Sequence, residues 1–389
     1  MPKERSIGTV PAEVKTQSKR IASIDWMRGI VMILMVIDHA SMAFNGGRFS
    51  ADSAGLYVPG TQLGAAEFIT RWSSHLCAPT FVFLAGTALA LSIERRVAKG
   101  QNPWSIDKRI LIRGLFILLL DLTIISFFSW RLTFQVLYAI GLSMMLMALL
   151  RRLSTFWLVT AALGWIILGE LATGLVWNPA EGAQGAASIP AALTMGMYYT
   201  PVFRIMYPVL PWLSMMCLGW AFGRYLNGYL SGQGKTLPPQ VLLLVTGLIG
   251  LLVFAVVRYL NGYGNMFLLR EDSSWMQYLL VSKYPPSLGF AAGQLGLLCI
   301  ILAGLITIEP LIGVRKNGPL LVFGQTAMFF YLIHRIVLEG LAQWGGLRGQ
   351  WGLRETYIAS GIILVVLYPM CLWYRSYKKA HPAGWTQFV

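Results

Sequence analysis

The sequence predicts an all-α polytopic membrane protein of about ten transmembrane helices, with both termini cytoplasmic. Three observations carry this reading. Of the 389 residues, 56% are hydrophobic and only 12% charged, and the mean hydropathy is +0.61; a soluble domain carries about 25% charged residues. The apolar residues fall into continuous runs of about 20, the length a helix needs to cross hydrocarbon. Lys and Arg divide unevenly between alternate connecting segments, as the positive-inside rule requires. A water-soluble enzyme is excluded, because a globule of this length cannot enclose so much apolar surface. Disorder needs low hydrophobicity, and a membrane β-barrel needs alternating rather than continuous apolar residues.

In order, the runs occupy 24–44, 73–92, 110–128, 132–150, 155–176, 205–223, 240–260, 286–307, 319–341 and 356–374. The polar start holds no short apolar stretch followed by a cleavage site. Residues 1–22 therefore read as a cytoplasmic tail, 23–376 as the ten-helix domain and 377–389 as a second cytoplasmic tail. With the N-terminus inside, 20 Lys and Arg fall on inner segments and 9 on outer ones. The longer loops, 45–72, 177–204 and 261–285, all lie outside. Long loops are often functional, so the outer face is where a substrate is expected to be recognised.

The formal charge of +15 is read as positive-inside loops, not as a nucleic-acid surface. Cys77, Cys217, Cys299 and Cys371 all lie in apolar runs without CxxC spacing, and read as packing residues rather than disulfides or metal ligands.

Ionisable residues inside a membrane are costly and usually face a cavity or a partner. Here they are Asp25, Arg28, Asp38 and His39 on the first helix, His75 on the second, Arg113 and Asp121 on the third, Glu170 on the fifth, and His334, Arg335 and Glu339 on the ninth. Arg28 and His39 are three helical turns apart, on one face, with about 16 Å between them along the axis. Asp25 precedes Arg28 by three residues and can hold it by an ion pair. Asp121 and Glu170 read as structural groups. By the order of the runs, His39, His75 and His334 reach a similar depth below the outer surface, which fits a proton carrier near neutrality. An enzyme and a proton-coupled transporter would both use such histidines.

The segment 20–39, RIASIDWMRGIVMILMVIDH, resembles the opening helix of the heparan-alpha-glucosaminide N-acetyltransferase-like family, which is related to the type 3 membrane acyltransferases. The blocks 68–86 FITRWSSHLCAPTFVFLAG, 207–223 YPVLPWLSMMCLGWAFG, 283–288 KYPPSL and 323–334 FGQTAMFFYLIH resemble its bacterial members, in the family's order. The resemblance implies ten or eleven helices, acetyl-CoA or acyl-CoA as donor, and a sugar amine or hydroxyl as acceptor. The broader group carries an Arg-x10-His pattern, matched here by Arg28 and His39, in which the Arg serves the donor and the His catalysis. The heparan enzyme has Asn at about the position of His39, and its catalytic His follows in a loop where this sequence has no clear match.

The expected site follows from the two readings together. Arg28, Arg109 and Arg113 bind the donor's phosphates at the cytoplasmic mouth. His39 is the general base, with Asp38 beside it in the chain but about 100° round the helix. Arg71, His75, Arg258, Lys283 and His334 lie near the outer mouth, to hold the acceptor. No metal is expected. The expected partners are membrane lipids and a small-molecule or glycan acceptor, not nucleic acid, with assembly as a homo-oligomer left open. The expected location is the plasma membrane, the inner membrane of a bacterium.

Overall fold

The computed structural model describes residues 21–185, 188–232 and 237–381. The expected tail over 1–22 lies outside the described residues as far as residue 20, and the tail over 377–389 from residue 382 onwards.

Helices α1 (Ala22–Phe44), α2 (Ala65–Ser73), α3 (Cys77–Ala98), α4 (Pro103–Leu120) and α5 (Ser126–Ser129) come first. After strand β1 (Leu132–Phe134) follow α6 (Val136–Leu150), α7 (Thr155–Gly174) and α8 (Ile189–Thr194). Strands β2 (Tyr198–Tyr199) and β3 (Phe203–Ile205) precede α9 (Val209–Leu230), α10 (Pro239–Leu260), α11 (Trp275–Leu279) and α12 (Leu288–Ile312). The chain ends in α13 (Pro319–Gln325), α14 (Ala327–Trp344) and α15 (Leu353–Ala380).

Every apolar run is occupied by helix, because a backbone in hydrocarbon must satisfy its own hydrogen bonds. Several starts are set by local chemistry. Asn102 caps α4 by accepting from the Trp104 amide, with Pro103 at the first helical position. Ser154 caps α7 and Ser287 caps α12 in the same way. Among the described residues, seven helical stretches are long and apolar enough to cross a membrane, eight if the bent pair α13–α14 counts as one span. α6, at 15 residues, is shorter. The fold is thus a helical, multi-pass membrane protein.

Three departures from the sequence reading matter. First, the outer loop expected over 45–72 is shorter. Residues 65–73 are helical and continue through a tight 3₁₀ turn, Ser74–Leu76, into α3. Charged Glu67 and Arg71 mask this stretch in a hydropathy reading, yet Phe68, Thr70 and Arg71 are buried. Second, the run 319–341 is broken: α13 and α14 meet at a bend of 91°. Thr326 is non-helical at φ −117° and ψ 23°. Gly324 lets α13 press on α1 so closely that an added Cβ would stand 1.8 Å from the Asp25 carbonyl oxygen. Third, the connections before α6 and before α9 build a small sheet of order β1-β3-β2, with β3 parallel to β1 and antiparallel to β2.

α1 is central and packs on α3, α12, α13, α14 and α15. α10 is peripheral, with only 17% of its apolar window buried. The ends of the described chain lie together: Arg28 of α1 and Lys378 of α15 line one cavity.

Candidate functional site

The expected base, His39, meets His334. Their rings stack at 5.0 Å between centroids, and His39 Nδ1 lies 2.7 Å from His334 Nε2. His334 Nδ1 lies 2.8 Å from the Phe330 carbonyl oxygen. A carbonyl only accepts, so His334 carries its proton on Nδ1 and its Nε2 is a lone pair. His39 Nδ1 must then donate to it. That leaves His39 Nε2 as the unprotonated nitrogen of the pair. His334 is fully buried while His39 is only partly so. The accessible ring is therefore the one with the free lone pair, and the buried ring orients it.

Asp38 is not part of this pair. It turns to the other side of α1 and accepts from Arg71 Nη1 at 2.9 and 3.0 Å, Arg48 Nη2 at 2.9 Å and Ser74 Oγ at 2.9 Å. Arg71 also binds Asp52 at 2.5 Å, and Asp52 accepts from His75 Nε2 at 3.0 Å. His75 thus belongs to a buried ionic cluster, not to the His39 pair, and its hydrogen-bonded link to α1 runs through Asp52, Arg71 and Asp38. Burial alone would raise the Asp52 carboxyl. Arg71, the hydrogen bond from His75 and Lys283 outweigh burial and hold it well below the usual carboxylate range. Lys283 is buried beside this cluster, with its ammonium 5.4 Å from the Tyr284 ring centroid. Arg258 is 1% exposed, and its donors go to Asn265 Oδ1 and to the carbonyls of Leu268, Gln277 and Tyr278. It locks the 261–279 connection, at a shallow apolar cavity with Phe254, Tyr259 and Tyr278 that is separate from the His39 pair.

Asp121 and Glu170 are structural. Asp121, at the start of a π turn, accepts from the amides of Gln135 and Tyr138 and so caps α6. Glu170 accepts from the amides of Gly264 and Met266.

A cavity of about 440 Å³ runs between α1, α3, α4, α6, α14 and α15. Arg28, Arg113, Arg375, Lys378 and Lys379 line it, with no carboxylate. Its walls are then apolar, and it includes Met35 and Tyr331. Met35 is one helical turn from His39. The Tyr331 ring stands edge-on to His39 at 6.1 Å and to His334 at 5.5 Å. A neighbouring basic cavity of about 560 Å³ shares Arg28 and adds Arg95, Arg96 and Lys99. Arg28 donates to Asp25 at 3.3 Å and to the Leu84 carbonyl at 3.0 Å, which holds it between the two cavities. Of the three cations expected to bind phosphates, Arg28 and Arg113 come together in the 440 Å³ cavity. Arg109 is exposed on α4 and lines neither.

The catalytic family of heparan-alpha-glucosaminide N-acetyltransferase matches residues 20–256, more than half of the 389 residues. The chain belongs to this family. No curated protein matches it. Family membership makes the protein a multi-pass membrane acyltransferase. The matched segment holds Arg28, Asp38, His39, Arg71, His75 and Arg113, but ends before Lys283 and His334.

The family uses acetyl-CoA as donor. The residues present fit such a molecule: five lining cations, of which Arg28 is held by Asp25, suit phosphates, and an apolar passage beyond them suits an acyl-bearing arm. The sequence reading missed Arg48, Asp52, Tyr331, Tyr284 and the α15 cations as parts of the site. Arg375, Lys378 and Lys379 lie about 350 residues after Arg28 in the chain, and no local pattern ties them to it.

Proposed function

We propose that the protein moves an acetyl or acyl group from cytoplasmic acyl-CoA to an amine or hydroxyl acceptor, a sugar or glycan, presented on the outer side. The observation that carries this is the single cavity with cations at one end and, at the other, Met35 and Tyr331 next to the His39–His334 pair. Arg28, Arg113, Arg375, Lys378 and Lys379 hold the donor's phosphates. The donor supplies an acyl carbon activated as a thioester.

His39 Nε2 takes the proton of the acceptor N–H or O–H as that atom bonds to the acyl carbon. The hydrogen bond from His39 Nδ1 to His334 Nε2 strengthens as His39 becomes charged, so His334 both aims the base and stabilises its protonated form. His39 then releases the proton to the departing thiolate. The acceptor approaches the partly exposed face of His39, while the Arg71–Asp52–His75 cluster on the other side of α1 braces the helix.

In the proposed topology α6 and α9 also cross, which makes ten spans with both termini cytoplasmic, in a bacterial inner membrane. Contacts at the basic end support the alternation. Arg151, after α6, pairs with Asp107 of α4; Arg224 of α9 donates to the Arg151 carbonyl; and Glu309 of α12 accepts from the Ala22 and Ser23 amides of α1.

The test is acyl transfer in sealed vesicles of purified protein. Acetyl-CoA is placed on the side that a C-terminal tag reports, with amino sugars and sugar alcohols on the opposite side. Acceptor-dependent release of free thiol, absent in His39→Ala, is expected. Thiol release equal to that of His39→Ala with every acceptor tried would reject the reading.

A further inference from the structure

The geometry points to Tyr331 as the hydrogen-bond donor that faces the acyl carbonyl oxygen during transfer. This inference rests on the acyl transfer proposed above and adds the group that stabilises the oxygen as it gains charge.

Two helix faces meet at the histidine pair. On α1, residues 28, 35 and 39 follow one another at i, i+7 and i+11, so Arg28, Met35 and His39 share a face. Arg28 and Met35 line the cavity, and His39 is the next turn along. On α14, residues 327, 331 and 334 follow at i, i+4 and i+7 and share a face in the same way. Ala327 and Tyr331 line the cavity, and His334 follows about 4.5 Å further along the axis. Two cavity-lining faces therefore converge on the histidine pair, and Tyr331 and Met35 are their last cavity-lining members.

The other neutral polar side chains that line the cavity are Thr326 and Gln325. The Thr326 hydroxyl donates to the Val322 carbonyl at 2.8 Å. Gln325 Oε1 accepts from Arg375 at 3.4 Å, near the basic mouth. Around the histidine end the walls from α6 are apolar, with Val136, Leu137 and Ile140. Tyr331 is 5% exposed. Among the described residues its hydroxyl has no hydrogen-bond partner, and it is not among the buried polar atoms sealed off without one. Its ring is held edge-on against both histidines, so the phenol is fixed by packing while its hydroxyl remains uncommitted. A rigid donor aimed where negative charge develops, in a site with apolar walls, has the properties of an oxyanion stabiliser.

The step balances. The acceptor nitrogen or oxygen bonds to the acyl carbon, and its proton goes to His39 Nε2. The carbonyl π electrons move onto the oxygen, which accepts from the Tyr331 hydroxyl. When the electrons return, the carbon–sulfur bond breaks and the thiolate takes the proton from His39. Tyr331 keeps its own proton throughout.

Tyr331→Phe removes the hydroxyl and keeps the ring that packs on His39 and His334. In the vesicle assay kcat is expected to fall about 10²–10³-fold, with the donor KM within about twofold and the CoA affinity unchanged by equilibrium binding. An inactive parent protein would reject the acyl-transfer reading itself. An active parent with Tyr331→Phe within threefold of its kcat would overturn only the role of Tyr331. A drop in kcat matched by a lost CoA affinity would show a packing role, and would overturn it too. Should Tyr331→Phe fail to fold, 3-fluorotyrosine at position 331 is the second probe. Its more acidic phenol is expected to move the alkaline fall of kcat to lower pH, and an unmoved alkaline limb overturns the assignment.

Discussion

His39 Nδ1 and His334 Nε2 lie 2.7 Å apart, although 295 residues separate them in the chain. The Phe330 carbonyl fixes the tautomer of His334, and His334 fixes that of His39. One ring is left with a free lone pair, and the other with none. The basic nitrogen of this enzyme is thus assigned by hydrogen bonding rather than by the identity of either residue.

The first prediction follows from that pair. His39→Gln retains a hydrogen-bonding side chain but has no base, and should lose about 10²–10⁴-fold in kcat while CoA still binds. His334→Phe keeps the stacked shape and removes the acceptor for Nδ1–H. It should lower kcat by about 10²-fold or more, because His39 is then free to turn or change tautomer. Full activity in His334→Phe, measured as thiol release, would show that His334 only packs.

The second prediction concerns the donor. Arg28 stands between two basic cavities and is held by Asp25 and Leu84. Asp25 is 1% exposed, so Arg28→Ala is paired with Asp25→Asn to avoid stranding a buried charge. The double variant should keep its melting temperature and bind CoA about 10-fold more weakly, the scale of one charge-assisted hydrogen bond. Unchanged affinity in a folded double variant would remove Arg28 from the donor site.

A third prediction is a pH dependence outside the histidine pair. The Asp52 carboxyl is held below its unfolded value of about 3.9 by Arg71, His75 and Lys283, against the effect of burial. A group with a depressed folded value stabilises the fold fully above the unfolded value, and this is lost as pH falls through the folded one. Thermal stability in detergent should therefore decline below about pH 4, and the decline should be shallower in Asp52→Asn. At neutral pH Arg71→Ala leaves Asp38 and Asp52 short of their shared cation. It should cost about 3–5 kcal/mol. A parent and an Asp52→Asn protein with the same acid slope would show that other groups set it.

The fourth prediction tests the bent span. A Cβ on Gly324 would stand 1.8 Å from the Asp25 carbonyl oxygen, and one on Gly29 would stand 2.1 Å from that of Leu320. Gly324→Ala should push α13 off α1 and destabilise the protein by about 1–3 kcal/mol. Because Gly324 and Gln325 line the donor cavity, CoA affinity should fall as well. Wild-type stability and affinity in Gly324→Ala would mean that the two helices have room to separate.

The helices were legible in the sequence because the requirement is local. A run of about 20 apolar residues in a membrane must close its own backbone hydrogen bonds, whatever surrounds it. The shared face of Arg28 and His39 was legible for the same reason: a helical period places residues eleven apart on one side of one element. The pairing of His39 with His334 was not. Their contact depends on how α1 and α14 are rotated and how close they lie, and that is set by Gly29 and Gly324 bringing α13 onto α1 and by the 91° turn at Thr326. Nor could composition tell Arg71, buried between two carboxylates, from Arg258, buried among carbonyls, or from Arg109, left exposed. An arginine has the same charge in each place. What it does is decided by which acceptors the tertiary fold brings within 3 Å of it, and those come from segments the sequence keeps far apart.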